Sequence, residues 1–580
     1  MLNHNPATEQ PSVWAVRRRF MEPRQQRSAR GWRIITFAAV FALFHCAIPI
    51  QSALAQSGDE PVETALPVLE GLAGQIDTLL ANPSDFPLAT RSRNALLKAF
   101  YVEAGEASLW ADNGRMTGLI NRLMRAQDDG LEATDYPIAE LQGMMHVASQ
   151  TDDRGRAIIE LWFTTYFLKY ARDLKVGRFL PGKIDPKLYW QEKKIDDAEA
   201  LHAFQSIGDV DRFYDNWQPS IPEYGKLRQT LSEYRIISDG GGWRQVSPGE
   251  VLKPGATEPR VGELRARLAA TDGAVPAGSV AEPNTFDDEL IKAVKRFQSR
   301  HGLDADGIIG TKTLVQLNIP VDRRIRQIIV SMERWRWMPE DLGRHYIIVN
   351  IAGFELRRIR DRRLEEKMRV VVGKPYHQTP VFSNQVKYVE INPYWNVPYS
   401  IATKEELPKL QTNPAAIASK GFEVVSGDRV VNVTAVDWSQ YSRKNFPFRL
   451  RQKPGPRNAL GRVKFMFPNK FNVYMHDTPS RSLFARSARA FSHGCIRLGR
   501  PIDFAEQLLA GLPGWSRQRI DATVASQKRT VINLDAPVPV HLTYSTAWLG
   551  EDGTIQFRSD IYQRDVRLYA ALFGKHRPMM

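Results

Sequence analysis

Cysteine is almost absent: two occur in 580 residues, and Cys46 lies inside an N-terminal apolar run. Removal of that run on export leaves Cys495 as the lone thiol. That excludes an intramolecular disulfide and makes Cys495 either a buried spectator or a reactive group. Long hydrophobic segments are scarce too. Hydrophobic residues make up 43 % and charged residues 25 % of the chain, close to globular averages, which excludes a polytopic membrane protein, a collagen-like repeat and global disorder. From about Leu66 to Tyr234 there is no paired-acid site, metal-ligand spacing or glycine loop, so this stretch reads as architecture. Positive charge is in excess: 79 Lys and Arg stand against 64 Asp and Glu, a net +15. Such a balance suits an anionic partner without identifying it.

Seven arginines between Arg17 and Arg33 precede the apolar stretch from Ile34 to Ile50, the layout of an export signal. Ala53-Leu54-Ala55 puts small residues where a signal peptidase reads, which predicts cleavage between Ala55 and Gln56, a signal peptide over 1–55 and a periplasmic mature chain. An uncleaved anchor is the alternative, and even a cleaved signal holds the chain at the membrane transiently. Met21 is a second candidate translation start, because Met21–Arg33 makes a more ordinary basic segment.

Residues 60–243 show mostly helical apolar spacing, clearest from Ala157 through Leu174, and predict a helical scaffold domain. Asp239-Gly240-Gly241-Gly242 is turn chemistry at its boundary. A compact helical module follows over 246–318, with Leu290, Ala293, Val294 and Phe297 at helical spacing. After Pro339 the period changes to that of strands, as in Tyr346–Ile351 and Met368–Val372. A β-rich domain is therefore expected over 344–527, interrupted at about 396–446 by a mixed insertion, with a C-terminal extension over 528–580. The fold class is multidomain α+β.

Cys495 lies in Phe491-Ser492-His493-Gly494-Cys495-Ile496-Arg497, and His476-Asp477 ends the strand-like run before it. Cysteine acyl transfer needs a thiolate, a histidine to take and return its proton, a group to orient that histidine, and N–H donors for the oxyanion. This segment offers all four: the N–H groups of Gly494 and Cys495 are the candidate donors, and a neighbour that takes the thiol's proton makes Cys495 unusually alkylatable. Tyr474 shares a strand face with His476. An alternative makes His476, His493 and Cys495 zinc ligands of a metallohydrolase, although no fourth ligand stands at suitable spacing. A further alternative is a pseudo-enzyme that only binds polymer.

The Ser492-His493-Gly494-Cys495 motif with upstream His476 closely resembles the L,D-transpeptidase catalytic (YkuD) family, together with Thr379-Pro380, Asn392–Pro398, Gln452–Pro456 and Asn458-Ala459-Leu460-Gly461. Phe297-Gln298, Gly302–Gly310, Thr313-Leu314 and Leu317 resemble the peptidoglycan-binding domain 1 family, a small three-helix module. The whole layout is similar to the large Gram-negative subgroup of these enzymes. The resemblance implies 3→3 cross-linking of peptidoglycan, with L,D-carboxypeptidase trimming if water is the acceptor, reactivity toward carbapenems, no cofactor or metal, and peptidoglycan stem peptides and glycan, not nucleic acid, as partners. It makes Cys495 the nucleophile and His476 the general base, with the Asp477 carbonyl orienting the imidazole. His493 is read as facing away from Cys495 and supporting it, as does Gly494. Tyr474, Trp395 and Tyr399 are expected at the acyl pocket or on a capping lid, and Arg497, Arg481, Arg486 and Arg489 at stem-peptide carboxylates.

Overall fold

Apolar residues three and four apart, with an Asp at the N-terminal cap, specify the central helix of the scaffold. Asp152 accepts a hydrogen bond from Gly155 N at 2.8 Å, and the helix Asp153–Val176 buries Ile159, Phe163, Phe167 and Leu174. The computed structural model describes residues 71–81, 91–105, 107–273, 275 and 282–574. The expected signal peptide, Cys46, Met21 and the Ala55 cleavage point lie outside these residues.

A further helix joins the scaffold from beyond residue 243. After the three-helix module the chain returns to it as the helix Val321–Trp337, which packs on the helix Pro222–Asp239 and buries Ile328, Ile329, Val330, Met332 and Trp337. Each such side chain contributes about 1.5–3 kcal/mol of burial, enough to fix this return. The module is thus an insertion with its own core of Leu264, Leu268, Leu290, Val294 and Phe297 beneath the helices Pro259–Ala269, Asp288–Arg300 and Thr311–Leu317. Gln298 ties its turn: the side-chain amide donates to Asp306 at 2.7 Å and to Ile308 O at 2.9 Å, while its oxygen accepts from Gly307 N at 2.8 Å.

The β-rich domain is one nine-stranded sheet: β1 (His345–Asn350), β2 (Glu355–Arg360), β3 (Arg363–Gly373), β4 (Phe382–Ile391), β5 (Val463–Met466), β6 (Met475–His476), β7 (Ala490–Ser492), β8 (Ile496–Leu498) and β9 (Thr530–Thr543). Their order is β7-β3-β8-β6-β5-β4-β9-β1-β2, and β2 also pairs with β3, so the sheet closes on itself. The 528–580 segment is therefore no appendage. Its strand β9 lies between β4 and β1, pairing parallel with β1 and antiparallel with β4, and without it the closed sheet would open. Scaffold and sheet share one continuous apolar core.

The insertion is a separate layer. A four-stranded sheet built from Trp395–Asn396, Arg449–Gln452, Phe422–Ser426 and Arg429–Val431 encloses its own core of Leu410, Val424, Trp438, Phe446 and Leu450. It spans 395–452, slightly wider than its apolar pattern suggests.

Candidate active site

Parallel pairing of β6 with β8 brings the two key segments together. Met475 pairs with Ile496 and His476 with Arg497, and Ile496 N donates to Tyr474 O at 3.0 Å. Cys495, just before β8, is thereby set beside Tyr474. The thiol is half-buried, and Sγ lies 3.9 Å from the Asn472 carbonyl. No hydrogen bond joins Sγ to the His476 ring among the described residues.

His476 is 4 % exposed, and its Nδ1–H donates to the Asp477 carbonyl at 2.5 Å. This bond fixes the tautomer and leaves Nε2 as the proton acceptor. Burial, and then the Arg497 charge, push the imidazole down to about 3, so it is neutral across the physiological range. The Asp477 carboxylate is engaged elsewhere, accepting from Arg462 N at 2.9 Å, Arg462 Nε at 3.2 Å and Arg481 Nη1 at 3.3 Å.

Gly461 explains how Asp477 is held. Its φ is +63°, and a Cβ there would sit 2.4 Å from Asp477 Cγ. Gly461→Ala is expected to displace Asp477, loosen the carbonyl that orients His476, and cost on the order of 1–3 kcal/mol of backbone strain. Thermal unfolding and thiol-acylation rates of the variant check this; a variant that acylates at the unmodified rate would contradict it.

Burial pushes the Cys495 thiol up, against hydrogen bonds from Tyr474 and the charges of Lys464 and Arg497. This upward push runs against easy alkylation of Cys495 at rest, beside an imidazole that is itself held neutral. Lys464 was missed from the sequence. It stands opposite His476 on β5, with its ammonium 4.1 Å from the Tyr474 ring centroid and no ion pair among the described residues. A charge inside the apolar run Val463–Phe467 was the available signal. Iodoacetamide labelling of Cys495 should rise with pH to a midpoint above the ordinary cysteine range, and Lys464→Met, which removes a charge favouring thiolate, should move that midpoint higher. A midpoint that falls in the variant would contradict this electrostatic role.

The motif residues divide. Strict strand alternation would return His493 to the face of Cys495. The break between them is Gly494 at φ +118°, a conformation that favours glycine. His493 Nε2 instead pairs with Glu405 of the insertion at 2.6 Å, its ring 4.8 Å from that of His377. Gly494 N donates to Ser492 Oγ at 3.1 Å and is already engaged, whereas the Cys495 N–H has no acceptor among the described residues. Ser492 Oγ also donates to Cys495 O at 2.6 Å, and Thr379 Oγ1 to Gly494 O at 2.9 Å.

A cavity of about 480 Å³ lies between Lys464 and Tyr474 on one side and, on the other, Tyr394 with Asn396, Val397 and Pro398 of the insertion. Trp395 and Tyr399 do not line it. Trp395 meets Phe422, and Tyr399 is 53 % exposed and donates to Arg443 O at 2.9 Å. Arg497 is half-buried, with its Nε unbonded and no ion pair among the described residues. Arg481 is spent on Asp477 and on the Leu498 and Gly499 carbonyls. Arg489 is buried on the Val370, Phe354, Arg486 and Ser487 carbonyls. No three His, Cys, Asp or Glu side chains gather closely enough to hold a metal among the described residues.

Comparison with known proteins matches residues 344–524 to the L,D-transpeptidase catalytic domain, 95–231 to a scaffold domain, and 257–317 to a family described as "Putative peptidoglycan binding domain". A curated Haemophilus influenzae protein named "Putative L,D-transpeptidase" is 35 % identical over 247 residues, 42 % of this chain and 49 % of that protein. The chain spans about half the length of that relative. Among solved structures, an L,D-transpeptidase from Xylanimonas cellulosilytica is 13 % identical, covering 51 % of this chain and 99 % of that one at a TM-score of 0.17. Another from Stackebrandtia nassauensis is 14 % identical, covering 52 % and 96 % at 0.20. Scores this low carry no weight here.

Proposed function

Because the chain carries an L,D-transpeptidase catalytic domain together with a scaffold domain and a peptidoglycan-binding domain, we propose that it forms 3→3 cross-links between peptidoglycan stem peptides through a thioester on Cys495. The supporting observation is the His476 ring, buried, neutral and fixed by the Asp477 carbonyl on the strand paired with that of the nucleophile. The Cys495 proton passes to His476 Nε2 as sulfur attacks the L-centre carbonyl of diaminopimelate in a tetrapeptide. The amide C–N bond breaks, and the imidazolium returns the proton to departing D-alanine. An acceptor amine then attacks the thioester, forms the cross-link and releases the thiol. The free Cys495 N–H meets the developing oxyanion. Arg497, which lacks a carboxylate partner among the described residues, receives a stem-peptide carboxylate, and the insertion closes over the acyl chain as a lid. Export to the periplasm fits this substrate.

Water as acceptor would make the same site an L,D-carboxypeptidase, and zinc would make it a metallohydrolase. Incubating purified tetrapeptide muropeptides with the protein and separating the products decides among them. Cross-linked dimer and free D-alanine, unchanged by EDTA, are expected; tripeptide alone means trimming, and loss of both products with EDTA means metal chemistry.

A further inference from the structure

A second cavity, about 890 Å³, opens between the inserted module and the sheet, away from the Lys464–Tyr474 cavity. Its walls come from Leu303 and Asp304 of the module, from β2 and β3, from the loop between His476 and Ser492, and from a C-terminal hairpin that carries Trp548 and Arg558. The walls are held in place. Arg558 Nη1 donates to Arg300 O of the module at 2.8 Å, its guanidinium lies 4.8 Å from the Trp548 ring centroid, and its carbonyl accepts from Gln327 at 2.9 Å.

Seven arginines and lysines line this cleft against four carboxylates. Glu355 and Glu551 are taken by Arg357 and Lys367, and Arg500 pairs with Glu366 outside the lining. Asp304 and Asp552 remain, against four cations with no ion pair among the described residues: Arg369, Arg486, Arg489 and Arg558. Arg489 and Arg558 are both pushed down to about 10, chiefly by burial; for Arg489 the charges of Arg369 and Arg558 add to this. Crowded cations in a preformed cleft of ligand size lack an anion.

We propose that this cleft is a second peptidoglycan site, which holds a carboxylate-bearing stem peptide of a wall strand while Cys495 acts elsewhere. The proposal rests on the reading of the chain as a wall enzyme; the module as one wall of the cleft and the surplus of unpaired cations carry the choice of ligand. Exposed Arg369 is the contact that can be changed without unpacking the walls.

The test measures retention of the full chain on purified sacculi and, in parallel, acylation of Cys495 by a free tetrapeptide. Arg369→Glu should weaken retention at least tenfold, Arg369→Gln less, and acylation should be unchanged. Lys226→Glu, the same change of net charge at an exposed position outside the cleft, should retain normally. Unchanged retention in the cleft variants, or equal loss in the control variant, overturns the proposal. Absent acylation in the unmodified chain overturns the proposed function instead, whatever the retention.

Discussion

His476→Ala is expected to lower acylation of Cys495 by roughly 10²–10⁴-fold, the range that a positioned general base contributes. The reason is the resting state. Burial pushes the thiol up and holds the imidazole down at about 3, so Cys495 does not hand its proton over in advance and needs an acceptor as sulfur attacks. His493→Ala removes a partly exposed pair with Glu405, and such pairs are worth up to about 1 kcal/mol, so its loss should stay within about fivefold. Stopped-flow acylation of both variants by a carbapenem or a tetrapeptide measures the difference. Normal acylation by His476→Ala, with a silent His493→Ala, would invert the two roles.

Asp185→Ala should cost about 3–5 kcal/mol of stability, because it leaves a buried guanidinium without its counter-charge. Asp185 of the scaffold and Arg564 of the C-terminal segment are both buried and meet at 3.2 Å. Arg564 also reaches Gln378 and the Thr379 carbonyl at 3.4 and 3.5 Å. Tyr562 beside it donates to Gly373 O at 2.6 Å and accepts from Thr379 N at 3.2 Å. Since Thr379 holds the Gly494 carbonyl, loss of this anchor should loosen the loop that carries Cys495, and acylation should fall with stability. The double variant Asp185→Leu with Arg564→Met removes both charges and should recover most of the loss. Urea unfolding of the three proteins checks the pattern; a single-variant loss under about 1 kcal/mol would mean that scaffold and catalytic sheet are not coupled here.

That Cys495, His476 and Asp477 come together was legible because they lie within one short stretch, which the pairing of β6 with β8 closes up. The three-helix module was legible from its apolar periodicity and its glycine turn. The helix Val321–Trp337 was not, since its buried face carries Arg324, Arg334 and Arg336, which read as solvated until Arg334 is seen on Asp565 at 2.6 Å and Arg336 on Glu333 at 2.7 Å. Strand β9 was taken for an extension because its partners are far off in sequence, and because Pro537 and Pro539 interrupt its pattern where the pairing shifts register between Asn533 and Val538. Trp395 and Tyr399 were expected on a capping lid because the insertion carries them; the insertion folds around its own core, and neither residue lines the cavity beside Tyr474.

The central claim, a thioester at Cys495, is tested most directly by mass spectrometry of the intact protein mixed with a tetrapeptide donor in the absence of acceptor. The account predicts a tripeptide acyl adduct that maps to Cys495, with one D-alanine released per adduct, and no adduct in Cys495→Ser. D-alanine release that persists in Cys495→Ser without any adduct would contradict it.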